Sequence, residues 1–414
     1  MHCRDSPANM AMAEILLKIA CWGCLGALLY SYGLYPLLLR ILAKGKAFRH
    51  ARYEEGETAS LPRLSILISA YNEEKVLRQK LDSIAAAQYP KELLNVYLGS
   101  DASTDATDAL AAEYAGGCPW LRFRRFGQRG GKPGVINALA AEALETYGSG
   151  PEHILLITDA NVLFMEDTLF KLLRHFKEPG IAVVDSVILP QGQQAAGISR
   201  AEGRYLGGEA RLKYCEGLLW GAMIGPFGAG YAVRASHFEP VPPNFLVDDF
   251  YIAMRAVERG GKAISDPEAR VLEGATHRIE VEFRRKKRIG AGNFQNMALF
   301  RRLWWPPVHA VGFAFFSHKI LRWTGPHSLW IALLCTLFLA LLGNQWYGLL
   351  FLMQSALLAG VPLLDLLLAR MGIQVLLLRG MRYFLLMNAA LFAGWIFYKK
   401  GIKTNVWQPT ERAT

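Results

Sequence analysis

The sequence predicts an α/β domain with a mainly parallel sheet, held to a bilayer by apolar helices at both of its ends. Three observations carry that reading. Between Leu61 and Arg302, apolar runs of strand length alternate with helix-like stretches, the pattern of parallel strands joined by crossover helices. Long apolar segments lie on either side of this region. Of the 414 residues, 52% are hydrophobic and 20% charged, too greasy for an ordinary soluble protein and too charged for a bare membrane bundle. The chain divides accordingly. Residues 1–52 form a transmembrane anchor with a basic flank, 53–303 the α/β domain with an interface helix, and 304–414 further interface and membrane helices with a tail.

A net charge of +11 suits a protein lying against anionic lipid or handling phosphorylated substrates. Nucleic acid is not an expected partner, because no basic run is interleaved with aromatics in a recognisable binding module. Cys21 and Cys24 have redox or zinc spacing but sit in an apolar segment with no second ligand pair, and read as small packing residues. No disulfide framework is visible, so most of the chain faces a reducing compartment.

In chain order, Ile15 to Leu42 is long and apolar enough to span a bilayer. Arg40, Lys44, Lys46, Arg49 and Arg52 follow it, against Arg4 and Lys18 ahead. The positive-inside rule then places the domain in the cytoplasm, which for a bacterium means the inner membrane. Leu64 to Ser69 reads as a strand, Glu73 to Gln88 as a helix, Asn95 to Gly99 as a second strand with a helix through Tyr114. A glycine-rich loop, Gly127 to Gly134, leads into a helix near Val135 to Leu144. The Ile154 strand follows, then a helix around Asp167 to Phe176 and a strand at Ile181 to Leu189. Beyond Arg302, Val308 to Trp323 suggests a helix lying in the interface. Ser328 to Leu342 and Tyr347 to Leu368 are long enough to cross. Tyr383 to Phe397 is short, and either lies flat or crosses together with the Val308 segment.

Candidate chemistry gathers where strands end, the edge at which α/β sheets bind ligands. Asp159 closes the Ile154 strand and Asn161 adds a second oxygen. Together they could hold a hard divalent cation shared with a substrate phosphate, although an Asp capping the next helix would look the same. Tyr71, in the Ser69–Glu73 turn with Asn72, could stack on a base. Asp101 could accept hydrogen bonds from a base or ribose, while Asp101 and Asp105 also suit turn and cap roles. Lys132, after Gly130 and Gly131, offers a cation for a diphosphate. Asp248 and Asp249 precede an amphipathic helix, where its dipole favours anions, so they are either caps or a general base. The loop Gly225 to Gly230, including Gly228, could floor an acceptor pocket or be a tight turn between strands.

In this order the motifs resemble those of the membrane-bound family 2 glycosyltransferases, which include cellulose, chitin, hyaluronan and poly-N-acetylglucosamine synthases. The resemblance covers roughly Leu61 to Leu303. It implies a GT-A fold, a UDP-sugar donor, Mg²⁺ or Mn²⁺, inversion at the anomeric carbon, and a polysaccharide or lipid-linked acceptor at the membrane. In polymer-making members it also implies an export or regulatory subunit. By position, Tyr71, Glu73 and Asp101 would hold the nucleoside and Lys132 the uracil or diphosphate. Asp159 would open the metal-binding Asp-x-Asp motif, and Asp249, the second of the acidic pair, would be the base.

This sequence departs from the family pattern in three places. Asn161 replaces the second Asp of Asp-x-Asp, and the acidic pair is Asp-Asp where Glu-Asp is usual. The family's Gln-x-x-Arg-Trp motif aligns with Arg285 to Ile289, so Arg288 can still meet the diphosphate but Ile289 gives no aromatic platform for an acceptor sugar. That favours single transfer to a membrane lipid, such as a polyprenyl phosphate or a ceramide-like acceptor, whereas the C-terminal apolar segments favour polymer export. A non-catalytic nucleotide-sugar-binding partner would have eroded carboxylates, and these are intact. The tail Trp407 to Arg412 resembles tails of some bacterial members and is expected to fold back towards the active site. His277 is a further metal-ligand candidate.

Overall fold

The computed structural model describes residues 7–57, 60–191, 198–274 and 279–406. His277 and the tail from Trp407 lie outside them. Eight strands form one sheet: β1 (Arg63–Ala70), β2 (Leu94–Ser100), β3 (Leu121–Arg125), β4 (His153–Asp159), β5 (Val162–Phe164), β6 (Ile181–Gln191), β7 (Gly230–Arg234) and β8 (Lys262–Gly274). Their order is β3-β2-β1-β4-β7-β6-β8-β5.

Unbroken apolar runs make the central strands, because helices cover both faces and every side chain must be buried. On β1, Leu64, Ile66 and Ile68 enter one core and Leu67 the other. On β4, Ile154 and Leu156 face one way and Leu155 and Ile157 the other. Each of these side chains is fully buried, contributing about 1.5–3 kcal/mol of apolar transfer. The strands β3, β2, β1 and β4 are parallel, as the βα alternation predicts. Beyond them β7 runs antiparallel to β4 and β6, and β5 antiparallel to β8, while β6 and β8 are parallel. The fold is therefore a GT-A-like mixed sheet, mostly parallel, with apolar helices at both termini.

Several helices differ in length from the sequence reading. The first domain helix is Leu77–Ala85 rather than starting at Glu73, because the N–H groups of Glu73 and Glu74 are taken by Thr107 Oγ1 (2.8 Å) and Asp105 Oδ2 (3.2 Å). Asp105, which also accepts from Thr107 N at 3.0 Å, thus ties two turns together. The helix after the glycine loop already begins at Gly131 and runs to Tyr147, which puts Lys132 in its first turn. The loop before β7 joins a long helix, Ile198–Trp220, to that strand rather than two strands.

Among the described residues, Asn9–Ala43, Gln345–Arg370 and Leu376–Lys399 are each long and apolar enough to cross a membrane. Ala310–Trp323 and Gly325–Leu341 form a further pair bent by 60°. Tyr30–Leu34 and Ala356–Gly360 are wide π-type turns just ahead of Pro36 and Pro362. Prolines lack the N–H that would bond one turn back, so the ladder loosens there.

The last helix is longer than its sequence suggested. Arg379 and Arg382 precede the apolar run Tyr383 to Phe397, yet the helix already begins at Leu376 and continues to Lys399, with Arg382 pairing with the buried Asp365 at 3.0 Å. Beyond it Asn405 reaches Gly131 in the α/β domain. The chain therefore comes back to the α/β domain after its apolar helices, and Leu376–Lys399 packs along the domain's own Ile279–Leu299 helix.

Candidate active site

The C-terminal ends of β1, β2 and β4 and the first turns of two helices open onto one cleft. Asp159 ends β4, and Lys132 reaches it from the Gly131–Tyr147 helix, donating from Nζ to Oδ1 at 2.7 Å. The same ammonium lies 3.7 Å from Asp248 Oδ2. Asp248 and Asp249 are the first two residues of the Asp248–Glu258 helix, where exposed N–H groups favour anions. The N–H of Phe250 donates to Asp249 Oδ1 at 2.7 Å. Asp248 Oδ2 is buried and accepts no hydrogen bond from a described residue. Three carboxylates thus share one lysine, with Arg288 added from the Ile279–Leu299 helix and within electrostatic reach of all three.

The titration behaviour follows from this crowding. Burial first, then the Asp248 charge, push the Asp249 carboxyl up to about 6, although Lys132 opposes the shift. Burial alone would lower Lys132, but Asp159 and Asp248 outweigh it and the ammonium is held more firmly protonated. Arg288 is lowered by burial and by Arg285, against the pull of the acids.

Gly228 lies against Asp249 at φ +81°, and a Cβ there would stand 2.3 Å from Asp249 Oδ2. On the far side of the cleft Asp101, 2% exposed, binds the glycine loop. It accepts from Gly130 N (2.6 Å), Gly131 N (3.0 Å) and Arg129 Nε (3.0 Å). The Arg129 guanidinium stacks 3.3 Å over the Tyr71 ring. Asn72, at φ +56°, ties its loop to Thr104 N through Oδ1 at 2.9 Å, and Glu73 follows it. Asn405 closes this side, since a Cβ on Gly131 would lie 2.5 Å from Asn405 Oδ1. Asn161 stands two residues past Asp159, in the short turn between β4 and β5.

Arg288 is aimed by its helix. Gln295 accepts from Leu246 N (3.1 Å) and donates to Asn244 O (2.9 Å), and Gly292 is pressed against Val247. The segment leading to the acidic pair is clamped by the helix that carries the arginine.

Four buried groups went unread in the sequence. Lys80 is wholly buried beneath the Asp159 turn, donating to Thr158 Oγ1 (3.0 Å) and Val162 O (2.6 Å), and burial pushes its pKa well down. Its signal was a lysine on the apolar face of Leu77, Leu81 and Ile84. Asp185 interrupts the apolar β6 run. It accepts from Phe227 N at 3.2 and 3.1 Å and pairs with the buried Lys213 at 3.4 Å, fixing the residue next to Gly228. Tyr231 of β7 is fully buried, and its hydroxyl, which bonds to no described residue, feels Asp248, Asp249, Asp159 and Asp185.

Comparison with known proteins follows this geometry. The model of glycosyl transferase family 2 matches residues 65–231, and that of glycosyl transferase family group 2 matches residues 153–398. A beta-monoglucosyldiacylglycerol synthase of Nostoc sp. is 31% identical over 180 residues, 42% of this chain and 37% of the relative. One from Synechocystis sp. is 28% identical over 127 residues, 30% of this chain and 25% of the relative. The aligned part of the chain thus spans between a quarter and little more than a third of the length of these curated relatives. The structure of a mannosyltransferase from Pyrobaculum calidifontis, in complex with GDP-Man and Mn²⁺, superposes with a TM-score of 0.69 at 21% identity. It covers 94% of this chain and 99% of that one, a likeness of fold. With a family model running over more than half of its length, this chain belongs to glycosyltransferase family 2.

Proposed function

We propose that the chain moves a hexose or N-acetylhexosamine from a UDP-sugar to a hydroxyl of a membrane lipid, with inversion at the anomeric carbon. The observation that carries this is the meeting of Asp159, Asp248 and Asp249 around Lys132, with Arg288 close by. In this reading the nucleoside lies along Tyr71, Asn72, Glu73 and Asp101, its base stacking with the Tyr71–Arg129 pair. Lys132 and Arg288 take the diphosphate charge as the sugar–oxygen bond breaks.

Asp249 accepts the proton of the acceptor hydroxyl while that oxygen attacks the anomeric carbon from the face opposite the leaving group. A carboxyl pushed up to about 6 is mostly ionised near neutrality and still basic enough to take the proton. Asp248 orients this end of the site, and the Gly228 backbone leaves room beside the base.

Asp159 and Asn161 would hold Mg²⁺ or Mn²⁺ together with diphosphate oxygens. The buried Asp248 Oδ2, which accepts from no described residue, supports a bound divalent ion in this cleft. Such an ion would neutralise charge on the leaving diphosphate.

Two features support a lipid acceptor over a growing polysaccharide. Ile289 stands where an aromatic would hold an acceptor sugar, and the relatives from Nostoc and Synechocystis are named beta-monoglucosyldiacylglycerol synthases. The test is a screen of labelled UDP- and GDP-sugars with the purified chain, metal and bilayer lipids. A single glycolipid spot is expected. A ladder of products would assign a polymer, and no diphosphate release from any donor would overturn the reading.

A further inference from the structure

Behind the helix that carries Arg288 lies a chamber with two kinds of wall. Its cavity, about 380 Å³, is lined on one side by Glu209, Lys286, Lys319 and Arg322 and on the other by Trp323 and Met387. A second cavity of about 470 Å³ sits among the apolar helices, lined by residues such as Leu25, Leu329, Leu357 and Leu377. Leu376, Gly380 and Phe384 line both, so the two share a neck. Each falls within the range of about 300–1,000 Å³ typical of ligand sites. Leu357 and Leu377 are 47% and 72% exposed, so the apolar cavity opens sideways to the hydrocarbon. Its walls give water too few polar partners to stay.

The polar end carries surplus positive charge. Glu209 accepts from His318 Nε2 (2.9 Å), Arg322 Nη1 (3.1 Å) and Lys319 Nζ. Glu282 is shared by Arg285 and Lys286, each at 3.4 Å. Lys319 and Arg322 thus share one carboxylate at the chamber wall. The Nε of Arg322 is buried and donates to no described residue.

We propose that this chamber holds an anionic glycerophospholipid from the leaflet on the catalytic domain's side. An acyl chain fills the apolar cavity, and the phosphate sits among Lys286, Lys319 and Arg322. This lipid is not the sugar acceptor. Lys286, Ile289, Gly290 and Asn293 line the chamber from one face of their helix. Arg288, two residues after Lys286, points to the acids from the opposite face. The lipid braces the back of the helix whose front meets the diphosphate, and its binding does not depend on the acceptor assigned above.

The test uses the full chain in vesicles of phosphatidylcholine doped with phosphatidylglycerol, with retained lipid read by native mass spectrometry after detergent extraction. Phosphatidylglycerol should be retained about tenfold over phosphatidylcholine, the order expected from one or two lysines or arginines near a lipid surface. Gly380→Leu fills the neck, where a Cβ meets nothing within 4 Å, and should abolish retention while nucleotide binding by calorimetry persists. Lys286→Gln removes one positive charge without touching Glu209 and should cut the preference about fivefold. Equal retention of the two lipids, or phosphatidylglycerol held undiminished by both variants, would overturn the proposal. So would recovery of glycosylated phosphatidylglycerol as the reaction product, which would make this lipid the acceptor.

Discussion

Gly228 and Asp249 are packed so closely that a single added carbon would collide: a Cβ on the glycine stands 2.3 Å from the carboxylate Oδ2. The glycine also sits at φ +81°, where a side chain is strained. Gly228→Ala should therefore displace the base without altering any charge. A shift of about 1 Å costs on the order of 100-fold in rate. Steady-state kinetics should show that loss in kcat, with nucleotide affinity by calorimetry close to that of the wild type.

Asp249→Asn should lower turnover by about 10²–10⁴-fold, the usual contribution of general base catalysis, with donor binding retained. The pH profile gives a second check. Burial and the Asp248 charge raise this carboxyl to about 6, and only its ionised form can take a proton. The wild-type rate should fall as pH drops through about 6 and level off above it. The residual rate of Asp249→Asn should lack that acid limb, and an unchanged limb would assign the titration elsewhere.

Removal of divalent metal by a chelator should stop transfer, and Mn²⁺ or Mg²⁺ should restore it. Lys132→Met takes away the ammonium 2.7 Å from Asp159. A charge-assisted hydrogen bond is worth about 1.5–3 kcal/mol, so KM for the donor should rise at least about tenfold. Asp159→Ala should leave no metal concentration that restores the rate.

The buried pair of Lys213 and Asp185 gives a stability test. Lys213→Met leaves the carboxylate buried without its cation, 3.4 Å away in the native chain, at a cost of about 3–5 kcal/mol. Thermal melts in detergent should show it. Adding Asp185→Leu should recover much of the stability but not the activity, because Phe227 N then has no carboxylate to hold the loop bearing Gly228.

Much of this was legible in the sequence where a local pattern has one physical solution. A run such as Ile154 to Ile157, bounded by turn signals, reads as a strand covered on both faces, and the carboxylate ending it falls at the strand's C-terminal end, where the structure has it. The direction of β7 was not legible, since a five-residue strand looks alike in either sense and only partners distant in sequence decide. Lys80, Asp185 and Lys213 were missed because single charges inside apolar patterns gain meaning only from neighbours that folding supplies. The last helix was read as too short for the same reason, since Arg382, ahead of Tyr383, is matched by Asp365 on another helix.

Where the last helix crosses the one bearing Arg288, backbone nearly touches backbone. A Cβ on Gly394 would lie 2.6 Å from the carbonyl oxygen of Lys287, and one on Gly290 would lie 3.1 Å from Leu391 Cδ1. Contacts between glycines leave no compressible side chains to absorb a shift. A shift of the last helix is therefore handed on to the turn that carries Arg288 rather than absorbed between them.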